Sequence, residues 1–249
     1  MRESQLWKYL AAAIFLVVTG LLNGCATTAQ PVSEKTTGQD VIEAAQAAKL
    51  AQESGKPAEA LFRYEEILKN DPGNRGALMG SARLSMDFGR PDLAEQYYGR
   101  VLQNTPEDAE ALEGRGISRL QLHKYQQAKT DLTRTVTISP ERWRAWNALG
   151  IIADLEGQYP VAVGHYRKAL DILPGYPMLL NNLGYSLIMA HQYPEAERVL
   201  RTGLNHAPQD SYLTNNLGIS LAWLGRYDEA FELLTGVIKP AQAYNNIGY

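Results

Sequence analysis

The chain is poor in the groups that make disulfides and hold metals. It has one cysteine, Cys25, and four histidines in 249 residues. A single thiol excludes an intrachain disulfide. His123 and His191 stand two repeats apart at equivalent turn positions, and with His165 and His206 they read as turn or surface residues, not as metal ligands. No Gly-rich phosphate loop and no serine in a nucleophile elbow is visible. Acid pairs such as Glu65-Glu66 fit exposed helix faces. These residues therefore point to no enzyme, no cofactor and no small-molecule substrate. Excess positive charge is also lacking. The formal net charge is -3, so no basic field invites nucleic acid. The basic residues from Arg119 to Lys168 are mixed with acids and read as solvated helix faces. The apolar stretch from Leu10 to Leu22 is too short to cross a bilayer comfortably.

What is abundant is repetition. Pro72, Pro106, Pro140, Pro174 and Pro208 are each separated by 34 residues. Ala60, Ala94, Ala128, Ala162, Ala196 and Ala230 keep the same step. Gly55, Gly89, Gly157 and Gly225 form a third series, with His123 and His191 in the two intervening slots. A fixed period of this length marks a repeat architecture built from helix–turn–helix units. Each unit has one helix before the Gly or His slot and one after it, and the proline stops the second. One helix pair cannot bury its apolar face alone, so the units must stack.

The N-terminus is of another kind. Arg2 and Lys8 precede the Leu10–Leu22 stretch, and Leu22-Asn23-Gly24-Cys25 follows. A charged start, a short apolar stretch and a small residue before the cut predict a signal peptide over 1–24. Leu-x-Gly-Cys resembles the lipobox of bacterial lipoproteins. The resemblance implies cleavage before Cys25, a diacylglycerol thioether on its sulfur and acylation of the new terminus. Several acyl chains make a stable anchor where one does not. Ala26 in place of Asp implies the periplasmic face of the outer membrane. Residues 25–40, rich in Thr, Ser, Gln, Gly and Pro, read as a flexible tether.

Residues 41–249 hold the repeats, in units 41–74, 75–108, 109–142, 143–176, 177–210 and 211–242, with a partial seventh at 243–249. The fourth unit carries Trp146, Leu149, Gly150, Gly157, Tyr159, Ala162, Tyr166, Ala169 and Pro174. This pattern resembles the tetratricopeptide repeat, which implies an all-α superhelical solenoid. In the last unit Pro240 arrives two residues early, and Ala243–Tyr249 copies part of the 179–185 segment. The apolar edge there is expected to be continued by further chain or covered by a partner.

In this family the fifth, sixth, ninth and thirteenth positions of a unit point into the concave groove. The fifth holds Asn147, Asn181, Asn215 and Asn245, and the sixth Asn182, Asn216 and Asn246. A carboxamide both donates and accepts. The resemblance leaves two roles open for this ladder: pairing with the main chain of an extended peptide, or hydrogen bonding between repeats. The ninth and thirteenth positions are Lys49, Glu53, Arg83 and Asp87 in the first two units. They become Ile151, Leu155, Tyr185, Met189, Ile219 and Trp223 in the fourth to sixth. The front of the groove is thus charged and the rear apolar. The rear is the better hot-spot surface, unless the superhelix buries these residues as core.

A lipoprotein signal, a short tether and about six repeats opening on Asn-Asn-Leu-Gly-Tyr resemble the TadD lipoproteins of tight-adherence (Flp) pilus assembly. The resemblance implies a scaffold that binds protein partners and supports localisation or assembly of the outer-membrane secretin. Similar lipoproteins are the type IV pilus pilotins and the NlpI-like adaptors of peptidoglycan hydrolases. A subunit that recruits an enzyme of envelope synthesis is the alternative from another class.

Overall fold

A computed structural model of the chain describes residues 38–236, with side chains from residue 43 onward. Cys25, the lipobox, Pro240, Asn245 and Asn246 lie outside the described residues. The described chain is all helix and turn, in twelve helices. They are α1 Gly38–Glu53, α2 Pro57–Asn70, α3 Arg75–Asp87, α4 Pro91–Asn104, α5 Ala109–Gln121 and α6 Tyr125–Ile138. α7 Trp143–Leu155, α8 Tyr159–Ile172, α9 Pro177–Met189, α10 Tyr193–His206, α11 Ser211–Trp223 and α12 Tyr227–Thr235 complete the series. Helix α1 starts at Gly38, inside the stretch read as tether. Nothing between Gly38 and Val41 breaks a helix, and Asp40 suits the positive end of the helix dipole.

Each unit turns by the same device. The second residue after the first helix is left-handed at Gly55, Gly89, Gly157 and Gly225, and also at His123 and His191, with φ of 58° and 59° for the histidines. The next amide reaches back five residues: Lys124 N donates to Arg119 O at 2.8 Å, and Gln192 N to Leu187 O at 2.8 Å. This is the Schellman closure, which satisfies carbonyls the helix end leaves open. Histidine pays a steric penalty there that glycine does not. Its ring finds a local partner, since Nδ1 of His123 lies 2.7 Å from the Tyr125 hydroxyl and Nδ1 of His191 2.6 Å from that of Tyr193.

The prolines act one step later. Asp71 N donates to Ile67 O after α2, and Pro72, with no N–H and a fixed φ, stops the helix. Side chains of Asn74, Asp108 and Asp210 then cap α3, α5 and α11. The 34-residue alanines are wholly buried, from Ala60 to Ala230. They let paired helices approach closely.

In the first units, packing between neighbours pairs a tyrosine with a glycine. Tyr64 and Tyr98 fill space that a side chain would otherwise occupy at Gly80 and Gly114 of the following unit. A Cβ on either glycine would stand 2.4 Å or 2.3 Å from the ring. Leu132 and Leu200 are followed at that position by Ala148 and Asn216, whereas Tyr166 packs against Gly150 of its own unit and is followed by Asn182. Buried leucines, each contributing about 1.5–3 kcal/mol, continue the core to Leu234.

Candidate functional site

The first helices of neighbouring units touch one another, from α3 against α5 through α9 against α11, whereas second helices hardly do. The closer-packed first helices therefore form the inner wall. On each, the second, ninth and thirteenth positions share one face, because offsets of 7 and 11 residues return to within about 20° at 3.6 residues per turn. On α9 these positions are Met178, Tyr185 and Met189. On α11 they are Tyr212, Ile219 and Trp223.

The groove reading and the core reading separate here. Tyr185 is 42% exposed, Met189 37% and Trp223 63%. Leu155, Met178 and Tyr212 are exposed as well. Ile151 and Ile219 are half-buried and pack against the core. Trp223 is held by the preceding unit: its ring stacks on that of Tyr193, at the start of α10, at 5.4 Å and 3° between planes. One face of the indole is thus covered and the side chain still open.

The asparagines bond to one another. Asn182 Nδ2 donates to Asn147 Oδ1 at 3.0 Å, and Asn216 Nδ2 to Asn181 Oδ1 at 2.9 Å. Asn147 is nearly buried and serves this inter-repeat tie. The half-buried Asn181 keeps its Nδ2 group outside the tie, and Asn216 its Oδ1. Asn215 is half-buried on the same wall.

The front of the wall is charged, and part of it is internally paired. A cavity of about 510 Å³ lies among Arg83, Asp87, Tyr98, Glu113, Arg142 and Arg144. Arg83 pairs with Glu110 at 3.2 Å and Arg142 with Glu113 at 2.8 Å. Burial pushes the Glu113 carboxyl up despite Arg142. It also pushes the Tyr98 hydroxyl up to about 12.

The reading of the basic residues as solvated faces is corrected at Arg119 and its neighbour Arg115. Arg115 makes two 2.8 Å bonds to Asp131, and Arg119 bonds Asp131 at 2.7 Å and Glu95 at 2.9 Å. Asp131 is buried, so its charge needs these partners. The network joins α4, α5 and α6.

A half-buried acid is partnered differently. Asp154, on α7, accepts from the Tyr166 hydroxyl at 2.8 Å and from Ser186 Oγ at 2.7 Å. It ties α8 and α9 to α7. Burial pushes its carboxyl up, and no cation opposes that shift.

Models of the tetratricopeptide repeat match residues 51–115 and 153–215, 113–177, and 213–239. The chain belongs to the tetratricopeptide repeat family. No curated protein matches it. Among solved structures, this repeat protein is similar to PilF of Pseudomonas aeruginosa (20% identity, TM-score 0.70, covering 84% of this chain and 97% of that one). It is similar to PilW, a type IV pilus biogenesis factor (19%, TM-score 0.71, 86% and 96%). It also resembles YrrB, a repeat protein with an unusual peptide-binding site (16%, TM-score 0.62, 74% and 95%). At these identities the likeness is one of fold.

Sequence reasoning missed Met178 and Tyr212 on the inner wall of this repeat protein, and Asp154 at the seam between α7 and α9. The first two were accessible by counting seven residues back from Tyr185 and Ile219. Asp154 was visible as the single acid on α7, α9 and α11. Its hydroxyl partners were not visible, because they come from two other helices.

Proposed function

We propose that the chain is a non-enzymatic scaffold that holds an extended segment of a partner protein along the inner wall of α7, α9 and α11. The observation that carries this reading is the wall's composition and openness together. Helices α9 and α11 have no charged residue, yet Tyr185, Met189 and Trp223 stay exposed on them. Exposed aromatic and methionine side chains gathered on one face make a binding surface rather than a solvated one. Asn181, Asn215 and Asn216 lie between them and supply main-chain hydrogen bonds to the bound segment, independent of its sequence.

The finer reading places the scaffold at the periplasmic face of the outer membrane, anchored through lipid on Cys25. There it serves tight-adherence (Flp) pilus assembly by supporting secretin localisation or assembly. The lipobox and the Asn-Asn-Leu-Gly-Tyr opening support it. A type IV pilus pilotin is the second reading, favoured by the fold likeness to PilF and PilW over most of the chain. Deletion of the gene tests both: secretin multimers should be absent or mislocalised, and normal rings with normal pili contradict the proposal. Whether Flp or type IV pili are lost separates the two. Cys25→Ser should release the protein from the membrane and impair the same step.

A further inference from the structure

We infer that Asp154 makes this wall select a basic partner segment: a lysine or arginine, flanked by large apolar side chains, docks beside Asp154 and Tyr185. The inference rests on the groove reading above and names the chemistry of its occupant.

Along α7, α9 and α11 the charged residues are Arg144, at the start of α7, and Asp154, ten residues further on. At 1.5 Å per residue they are about 15 Å apart along the helix. Arg144 lies over the Trp143 ring at 4.9 Å. Among the described residues no basic side chain pairs with Asp154, and Lys129 is taken by Glu156 at 2.7 Å. The groups around the carboxylate are hydroxyls: Tyr166 and Ser186 bond it directly. Its charge also reaches Tyr185, whose hydroxyl burial and the nearby Tyr159 and Asp154 push up.

Two hydroxyls satisfy two lone pairs and neutralise no charge. Asp154 is half-buried, so in the free protein its carboxylate keeps part of its contact with water. An apolar segment laid across Tyr185 and Met189 removes that water. Removing water from an unpaired charge is costly unless a counter-charge arrives with the segment. A lysine or arginine supplies it and adds a favourable contact with the tyrosine face. An acidic or wholly apolar segment takes the full penalty, so the same residue that admits one partner rejects another. The front wall carries charges of both signs side by side, Arg83, Arg142 and Arg144 with Asp87, Glu110 and Glu113, so it sets no single-sign preference.

The test uses the full chain, immobilised, and a phage-displayed random twelve-residue peptide library. The strongest binder is then synthesised with lysine and arginine kept, or replaced by norleucine. Binding is measured by fluorescence anisotropy to the natural chain and to Asp154→Asn, Tyr185→Ala and Trp223→Ala. Binders should be enriched in a basic residue next to aromatic or aliphatic ones. Norleucine should weaken binding to the natural chain about tenfold, and should change nothing for Asp154→Asn. Because the norleucine arm leaves the protein untouched, it stands even if Asp154→Asn folds poorly. Peptides that need Tyr185 and Trp223 but bind equally well with norleucine overturn the inference and leave the groove reading intact. No selected binder, or binders indifferent to Trp223→Ala, overturn both.

Discussion

Asn216 donates its side-chain amide to Asn181 Oδ1 at 2.9 Å, joining the sixth position of one unit to the fifth of the unit before it. The asparagine ladder is therefore a brace between repeats, and the same carboxamides retain hydrogen-bonding groups outside the brace. Asn181→Ala should lower the unfolding free energy by about 1 kcal/mol. Asn216→Ala should add little more once Asn181 is gone. A double-mutant cycle by urea denaturation reads the coupling, and strict additivity would contradict the brace.

Gly80 is a glycine because Tyr64 occupies its side-chain space. In an exposed helix interior, glycine to alanine gains about 0.5–1 kcal/mol. Here the added Cβ would stand 2.4 Å from the ring, so Gly80→Ala should cost about 1–3 kcal/mol instead. Tyr64→Leu should remove most of that cost, as Leu132 coexists with Ala148. Thermal melts of the single and double variants check the sign.

His191 holds a left-handed conformation that glycine holds elsewhere in the series. His191→Gly should change the melting temperature little, because relief of strain offsets the lost contact with Tyr193. His191→Val, β-branched at positive φ, should lower stability by about 1–2 kcal/mol. Equal melting of the two variants would contradict the turn assignment.

Two aspartates should give stability opposite slopes with pH. Burial would raise the Asp108 carboxyl, but hydrogen bonds from Arg75 (Nε to Oδ2, 2.5 Å) and from the Ala111 amide outweigh it and hold it below 3.8. A folded pKa below the unfolded one contributes stability at neutral pH that is lost as pH falls through the folded value. Asp154 is raised by burial. Its penalty is absent below about 3.8, the usual aspartate value, and complete above its folded pKa. Urea titrations between pH 7 and 2 should show Asp108→Asn flattening the acid loss and Asp154→Asn steepening it. The same pH profile for both variants would contradict these assignments.

The scaffold was legible in the sequence because its constraints are local. The prolines, the buried alanines and the left-handed Gly or His slot each act within a few residues of themselves, so a fixed period exposes them. Met189 and Trp223 were legible for the same reason, as positions counted from the start of a unit. What remained hidden depends on side chains from different units meeting. The Tyr64–Gly80 fit, the Asn181–Asn216 tie and the clamp on Asp131 all join residues whose partners no local pattern names. Arg119 looked like a solvated lysine-or-arginine face for that reason; its acidic partners come from α4 and α6.

The most direct measurement is crosslinked capture of partners from native envelopes with the full chain carrying Tyr185→Ala and Trp223→Ala, paired with its thermal melt. The account predicts lost capture of a pilus-assembly partner, with stability changed by no more than about 1.5 kcal/mol for each aromatic contact removed. Undiminished capture, or a large fall in melting temperature, would contradict the claim that these side chains face a partner.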